Sequence, residues 1–340
     1  MKTLTRMTIG IAMSAAAFAL GSVPASALEK IVLRINFSPW AMHAQYYAAA
    51  AQGFYAEQGL EVEIRPVASG QTVEALVANG NEHFGLDNAD AFVQAQASGM
   101  PIVAIMADQP DSPTAVITLK SSNINTPADL KGKKISWFQA NVKSKLDPLL
   151  ESAGLTRDDI EYVNVTRGAE VQLLAAGTVD AIWGYAYGQA LTLEDKGFPV
   201  NIMSMKDHGL VNYGTVIFTS QALLESNPDL VQRFVKATLQ GYLWASANQR
   251  EAVAEVIKVA PDRDLDLETR KLGVIFGLYD SPDYSERFGR MNDERWAATI
   301  DSLAEDLPTK PEPSTMYTNR FVDAADESRQ LADAIHSQSN

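Results

Sequence analysis

The chain has 340 residues, and 42 acidic side chains against 28 basic ones give it a formal net charge of −14 at pH 7. An acidic surface repels phosphate backbones and anionic lipids, so the charge argues against nucleic-acid binding. Because the sequence contains no cysteine, a disulfide framework, a cysteine nucleophile and a lipid-anchored cysteine are excluded.

The N-terminal segment has the pattern of a secretory signal. Two basic residues precede an apolar run, Met7 to Leu20, and small residues follow at Ala25–Ala27. The apolar run is too short to cross a bilayer. We therefore expect residues 1–27 to be a signal peptide that is cleaved near Ala27, and the mature protein to be exported to a periplasm.

The first half of the mature chain predicts strands that alternate with helices. Hydrophobic period and turn residues predict strands at Ile31–Phe37, Leu60–Pro66, His83–Leu86 and Ile102–Ala107, and helices at Ala41–Gln58, Thr72–Asn79 and Ala89–Ala97. Alternation of this kind is typical of a mostly parallel sheet flanked by helices.

A second series of strands and helices follows. Strands are predicted at Pro113–Leu119, Lys134–Trp137, Ile160–Asn164, Ala181–Gly184, Val200–Met203 and Thr215–Phe218, with helices at Lys143–Ala153 and Glu170–Ala176. From Asn227 onward the pattern is almost entirely helical. The fold class is therefore α/β, with one sheet in each of two lobes.

Two turn-rich segments, 108–113 and 207–214, are candidates for the places where the chain crosses between the lobes. The predicted domains are a first lobe at 28–110, a second lobe at 111–212, and a return to the first lobe at 213–340. Two lobes joined by two crossings form a cleft that closes on a ligand by a hinge motion.

Ligands of open α/β sheets bind beyond the carboxyl ends of the strands. Six segments of this sequence are predicted to lie there, and four of them carry a large aromatic ring. Rings with a few polar groups favour a flat, partly apolar ligand. We predict stacking by Trp40, Trp183, Tyr185 and Tyr213, and hydrogen bonding by His43, Asp87, Asn88 and Gln139.

Structural roles for three of these residues stay open. Trp183 follows the apolar VDAI and is equally consistent with the core, and His43 is equally consistent with a core or capping role. Asp87 and Asp90 precede or begin a helix, where aspartate commonly caps. The four histidines share no metal-site spacing, and no nucleophile lies in a recognisable catalytic turn. We expect no metal, no cofactor and no catalytic residue.

The stretch FSPWAMHAQYYAAAAQGFYAEQGLEVEI resembles the opening of periplasmic binding proteins of the thiamine-pyrimidine, sulfonate, taurine and nitrate superfamily. NTPADLKGKKI, LLAAGTVDAIWGY and VIFTSQALLESNPDLVQRFVKATLQGYLWA resemble later stretches of that superfamily, so the resemblance covers nearly the whole mature chain. It implies the type II periplasmic binding fold, with an ABC permease and its ATPase as partners. We expect the protein to be a monomer.

The proline, tryptophan and histidine after the first strand resemble the pyrimidine-binding branch. That branch carries glutamates near the places where this sequence has Gln189 and Thr215. We expect a flat heteroaromatic ligand first, and as an alternative a sulfonate-like or taurine-like ligand or another small organic acid or amine. A pyrimidine synthase of the same fold consumes its own histidine and needs a cysteine-rich motif, so we expect this chain not to be an enzyme.

Overall fold

The computed structural model of the chain describes residues 27–137, 143–166 and 168–339; most of the predicted signal peptide lies outside them. The first sheet contains the strands β1 (Glu29–Ile35), β2 (Leu60–Pro66), β3 (Phe84–Asn88), β4 (Ile102–Ala107) and β10 (Thr215–Ser220), in the order β2-β1-β3-β10-β4. Strand β10 is antiparallel to both neighbours, and the other four strands run in one direction.

The second sheet repeats this arrangement. It contains β5 (Thr114–Leu119), β6 (Lys134–Trp137), β7 (Glu161–Asn164), β8 (Ala181–Tyr185) and β9 (Val200–Ser204), in the order β7-β6-β8-β5-β9. Here β5 is the antiparallel strand, between β8 and β9. The predicted two-lobed α/β fold with mostly parallel sheets is therefore confirmed.

Helices flank both sheets. In the first lobe they are α1 (Ala44–Ala51), α2 (Phe54–Glu57), α3 (Val73–Ala78) and α4 (Ala89–Ala97), and in the second α5 (Asp147–Glu151), α6 (Glu170–Ala175) and α7 (Leu191–Asp195). The C-terminal part adds α8 (Gln221–Ser226), α9 (Pro228–Ala247), α10 (Gln249–Val259), α11 (Leu265–Leu278), α12 (Asp293–Asp301), α13 (Arg320–Asp323) and α14 (Asp326–Ser339). Within the described ranges, no helix combines the length and apolar character that a membrane crossing requires.

The predicted helix Ala41–Gln58 consists of shorter pieces. It starts with a 3-10 turn at Ala41–His43, continues as α1, and breaks at Gly53, whose φ is +82°. A left-handed residue cannot continue a right-handed helix, and glycine adopts this conformation without a steric penalty. The alanines of α1 allow close packing on α9, where a side chain larger than hydrogen at Gly241 would overlap Ala49.

The chain passes between the sheets twice, after β4 and after β9, and the two crossings lie side by side. The Asp108 and Gln109 amides donate to the Thr215 carbonyl at 2.9 and 3.1 Å, and the Ser112 amide donates to the Asn212 carbonyl at 2.9 Å. These bonds join the two segments into one short connection. The exact domain limits given above remain a prediction.

Asp108 also joins the crossings to the C-terminal helices. Its buried carboxylate accepts hydrogen bonds from the hydroxyls of Thr215 on β10, Tyr242 on α9 and Tyr279 directly after α11, the last at 3.2 Å. Burial raises the pKa of Asp108 to about 6, although the three hydroxyl donors act in the opposite direction. The C-terminal helices are thus fixed to the first lobe beside the crossings.

Candidate functional site

A cavity of about 280 Å³ lies between the two lobes at the carboxyl ends of the strands. Residues from both lobes line it: Asn36, Phe37, Trp40, Met42, Asn88, Arg263 and Lys271 from the first, and Gly168, Glu170, Val171, Gly184, Tyr185, Gly188, Gln189 and Thr192 from the second. Because each lobe supplies part of the wall, the cavity exists only when the lobes are in contact.

Trp40 forms part of the wall and also connects the lobes. Its ring stacks on Tyr187 of the second lobe, with centroids 5.7 Å apart and planes at 27°. The Lys271 ammonium lies 5.9 Å from the centre of the Trp40 ring, within range of a cation–π contact. The indole N–H is buried and has no hydrogen-bond partner among the described residues. A ligand acceptor in the cavity is one way to satisfy it.

Two hydrogen bonds between side chains close the cavity on another side. The Tyr185 hydroxyl on β8 donates to the Asn88 side-chain oxygen at the end of β3, at 2.9 Å. The Gln109 amide, at the first crossing, donates to the Tyr187 hydroxyl at 2.6 Å. The first bond joins the two sheets and the second joins a crossing to the second lobe, so both hold the lobes in the arrangement that the structure shows.

Glu170 brings a carboxylate to the second-lobe wall. Its side chain is buried and accepts a hydrogen bond from the Gly168 amide at 2.6 Å and another from the Gln189 side-chain amide at 3.0 Å. Gln189 in turn accepts from the Tyr185 amide at 2.8 Å. This network fixes the position of the carboxylate at the start of α6.

The first-lobe wall carries positive charge from the C-terminal part of the chain. Arg263 donates to the Pro39 carbonyl and, at 3.0 Å, to the Ser38 hydroxyl, so it holds the turn that follows β1. Lys271 pairs with Glu268 at 2.8 Å, and the Glu268 carboxylate also accepts the Ala41 amide at 2.8 Å. Charge on this wall is therefore largely compensated within the protein.

His43 does not line the cavity. It is fully buried, and its Nε2 donates to the Asn36 side-chain oxygen at 3.3 Å, while its Nδ1 has no partner in the described part of the chain. Burial, and secondarily the charge of Arg263, lower the pKa of His43 to about 3. The imidazole is neutral and positions Asn36, which does reach the cavity.

The other predicted residues occupy different surroundings. Asp87 accepts the Asn88 amide at 2.7 Å and faces Glu74; burial and the charge of Asp87 raise the pKa of Glu74 to about 8. Tyr213 is buried against Trp296, with ring centroids 5.0 Å apart, and accepts the Asn292 amide. Neither Asp87 nor Tyr213 lines the cavity.

Trp183 packs on Trp137 in the core of the second lobe, with centroids 4.9 Å apart. One part of its ring reaches a separate small cavity of about 20 Å³, where Lys145 of the second lobe pairs with Asp90 of the first. Gln139 lies outside the described residues. The structure thus brings Trp40, Asn88 and Tyr185 together at one cavity.

Sequence reasoning missed several residues of the wall. Glu170 follows strand β7, and the rule that ligands bind beyond the carboxyl ends of strands also applies to this segment. Tyr187 does not line the cavity but stacks on Trp40, and it lies in a π-helical turn, Ala186–Ala190, for which the sequence gives no signal. Arg263 and Lys271 reach the cavity only because α11 packs against the first turn after β1.

The chain is similar to one family model and to several named proteins. The family model described as NMT1/THI5 like matches residues 40–252. The formylaminopyrimidine-binding protein of Halalkalibacterium halodurans is 24% identical over 285 residues, covering 82% of this chain and 85% of the relative. The 4-amino-5-hydroxymethyl-2-methylpyrimidine phosphate synthase of Candida albicans is 26% identical over 309 residues, covering 86% and 88%.

Among solved structures, the periplasmic aliphatic sulphonate binding protein SsuA from Escherichia coli aligns with a TM-score of 0.68 at 16% identity, covering 85% of this chain and 91% of that one. At this identity the likeness shows the shared periplasmic binding protein fold.

The prediction that this chain is not an enzyme is wrong. A relative named as a pyrimidine phosphate synthase matches most of the chain at 26% identity, so the family includes enzymes as well as binding proteins. The absence of cysteine and of a recognisable catalytic turn therefore does not support that exclusion.

Proposed function

The chain belongs to the NMT1/THI5-like family, and on that premise we propose that its interlobe cavity captures a small, flat, pyrimidine-like heteroaromatic molecule. The observation that carries the proposal is the cavity wall itself, in which Trp40 and Tyr185 stand beside hydrogen-bonding groups from both lobes. Aromatic faces bind flat rings, and a few fixed polar groups set their orientation.

The size of the cavity supports a ligand with a single ring. At about 280 Å³ it lies just below the range of roughly 300–1,000 Å³ that is usual for small-molecule sites. The polar groups at the wall, namely the Asn88 and Gln189 amides and the Glu170 carboxylate, suit the ring nitrogens and exocyclic groups of a pyrimidine. The relative named as a formylaminopyrimidine-binding protein supports the same ligand class.

The cellular role that we propose is capture of this ligand for an ABC importer in the periplasm. The signal-like N terminus and the periplasmic binding protein fold support this role. The partners would be a permease in the inner membrane and its ATPase, with the binding protein acting as a monomer. Closure of the lobes around the ligand would present both lobe surfaces to the permease together.

A second candidate ligand is a sulfonate-like or taurine-like molecule, and the observation that favours it is the presence of Arg263 and Lys271 at the wall. Glu268 lies 2.8 Å from the Lys271 ammonium and within 3.8 Å of the Arg263 guanidinium. Because this carboxylate already balances part of the positive charge, the wall offers an anion less attraction than two unpaired cations would.

The test is a thermal-shift and calorimetric comparison on the purified mature chain. We expect 4-amino-5-hydroxymethyl-2-methylpyrimidine to raise the unfolding temperature, since a ligand at a hundred times its dissociation constant adds about 2.7 kcal/mol to the free energy of unfolding. We expect ethanesulfonate and taurine at the same concentration to add much less. Stabilisation by the sulfonates and none by the pyrimidine would refute the proposal.

A further inference from the structure

Glu170 differs from Glu268 in having no ion-pair partner among the residues that the structure describes. Glu268, on the first lobe, pairs with Lys271 at 2.8 Å and has Arg263 within 3.8 Å. Glu170, on the second lobe, forms no ion pair with any residue in the described ranges, although its side chain is buried. The partners found for it there are two neutral N–H donors, from Gly168 and Gln189.

A buried carboxylate with two neutral donors keeps acceptor capacity for a further partner. Each carboxylate oxygen has two lone pairs, so one hydrogen bond to each oxygen leaves room for further donors. Desolvation makes such a group unfavourable unless a donor or a positive charge meets it. Since Glu170 lines the cavity, a bound molecule is placed to supply that donor.

The hydrogen bonds around Glu170 also fix the orientation of its carboxylate. Gln189 presents its oxygen to the Tyr185 amide and its NH2 group to Glu170. Gly184 has no side chain, and a Cβ there would lie 3.1 Å from the Gln189 side chain, closer than ordinary contact. The absence of a Cβ therefore lets Gln189 lie flat against β8 and hold Glu170 toward the cavity.

We propose that Glu170 is the specificity-determining residue of the cavity: it accepts a hydrogen bond from an amino group of the ligand and rejects ligands that are anionic at that end. This inference rests on the proposed function and deepens it, because it names the side chain that selects an amino-substituted ring. It also supplies, from α6, the carboxylate that the sequence does not offer at Gln189 or Thr215.

The experiment compares two probes of equal shape on the mature protein. The first is 4-amino-5-hydroxymethyl-2-methylpyrimidine, and the second carries a methyl group in place of the 4-amino group. We expect the wild type to bind the amino probe more tightly by about 10- to 100-fold, because the methyl probe leaves a buried acceptor unpaired. This preference for the amino probe can be measured on the wild-type protein alone.

The variant Glu170→Gln tests the assignment of that preference to one side chain. The amide oxygen can keep the bond to the Gly168 amide, while the charge is removed and an NH2 group replaces an acceptor. We expect the preference for the amino probe to fall by tenfold or more. The control Glu194→Gln removes a charge from an exposed position on α7 of the same lobe and should leave the preference unchanged. Thermal unfolding without ligand checks that both variants are folded.

The possible failures separate the two proposals. If the wild type binds the amino probe but prefers it no more than the methyl probe, the role of Glu170 is refuted and the proposed function stands. The same conclusion follows if folded Glu170→Gln retains the full preference. If the wild type binds neither pyrimidine, or binds ethanesulfonate instead, both proposals are overturned, because a cavity governed by this carboxylate should reject an anion.

Discussion

Replacement of Trp40 by alanine should weaken ligand binding more than any comparable change outside the cavity. Trp40 contributes a face to the cavity and stacks on Tyr187 of the opposite lobe. The ring pair is worth about 0.5–1.5 kcal/mol beyond its buried area, and loss of a central aromatic contact commonly reduces binding free energy by about 2 kcal/mol or more. We expect a total loss of about 1–3 kcal/mol, which raises the dissociation constant roughly 5- to 150-fold.

Isothermal titration calorimetry with 4-amino-5-hydroxymethyl-2-methylpyrimidine measures this loss. Trp244→Ala is the matched control, because Trp244 is half-buried on α9 and does not line the cavity. A double variant with Tyr187→Leu should be less affected than the sum of the single variants, since the two rings contact each other. Unchanged affinity in folded Trp40→Ala would refute the assignment of this ring to the ligand site.

Two further predictions concern the lobe contacts and the crossings. Tyr185→Phe removes the 2.9 Å bond to Asn88 and should reduce ligand affinity by about 0.5–1.5 kcal/mol in calorimetry; an equal loss in the control Tyr162→Phe, outside the cavity wall, would contradict this. Burial raises the pKa of Asp108 from 3.8 to about 6. Protonation of this carboxyl group therefore favours the folded state below pH 4. This contribution to the free energy of unfolding, about 3 kcal/mol, is lost as the pH rises through 6. Urea unfolding of wild type and Asp108→Asn should therefore show a stability difference that changes between pH 4 and 7; a constant difference would count against a buried, titrating Asp108.

Strand positions were predictable because the spacing of apolar residues along a strand follows from which side chains are buried. Leu60–Pro66, Ile102–Ala107 and Lys134–Trp137 form strands with the predicted bounds. Helix ends were less predictable, since Gly53 interrupts an alanine-rich pattern that reads as continuous. The antiparallel placement of β5 and β10 depends on which strands the crossings reach, and hydrophobic period carries no information about strand order.

The cavity wall was predictable where a ring or an amide directly follows a strand, as with Trp40, Asn88 and Tyr185. A wall residue was not predictable where the packing of distant elements brings it to the cavity. Lys271 reaches the wall from α11, more than two hundred residues after the turn that it contacts. The burial of His43 behind Asn36 likewise follows from packing of α11 and α10 on the first turn, which a single sequence does not reveal.

The paired crossings have a mechanical consequence for ligand exchange. Residues 108–112 and 212–215 share backbone hydrogen bonds along a short stretch, so the second lobe would turn about one axis as a rigid body. Three residues of that lobe would then gain or lose contact with the ligand at the same time, namely Tyr185, Gln189 and Glu170. A half-engaged complex would retain few contacts, and the speed at which the lobes swing apart would set the upper limit on the rate of release.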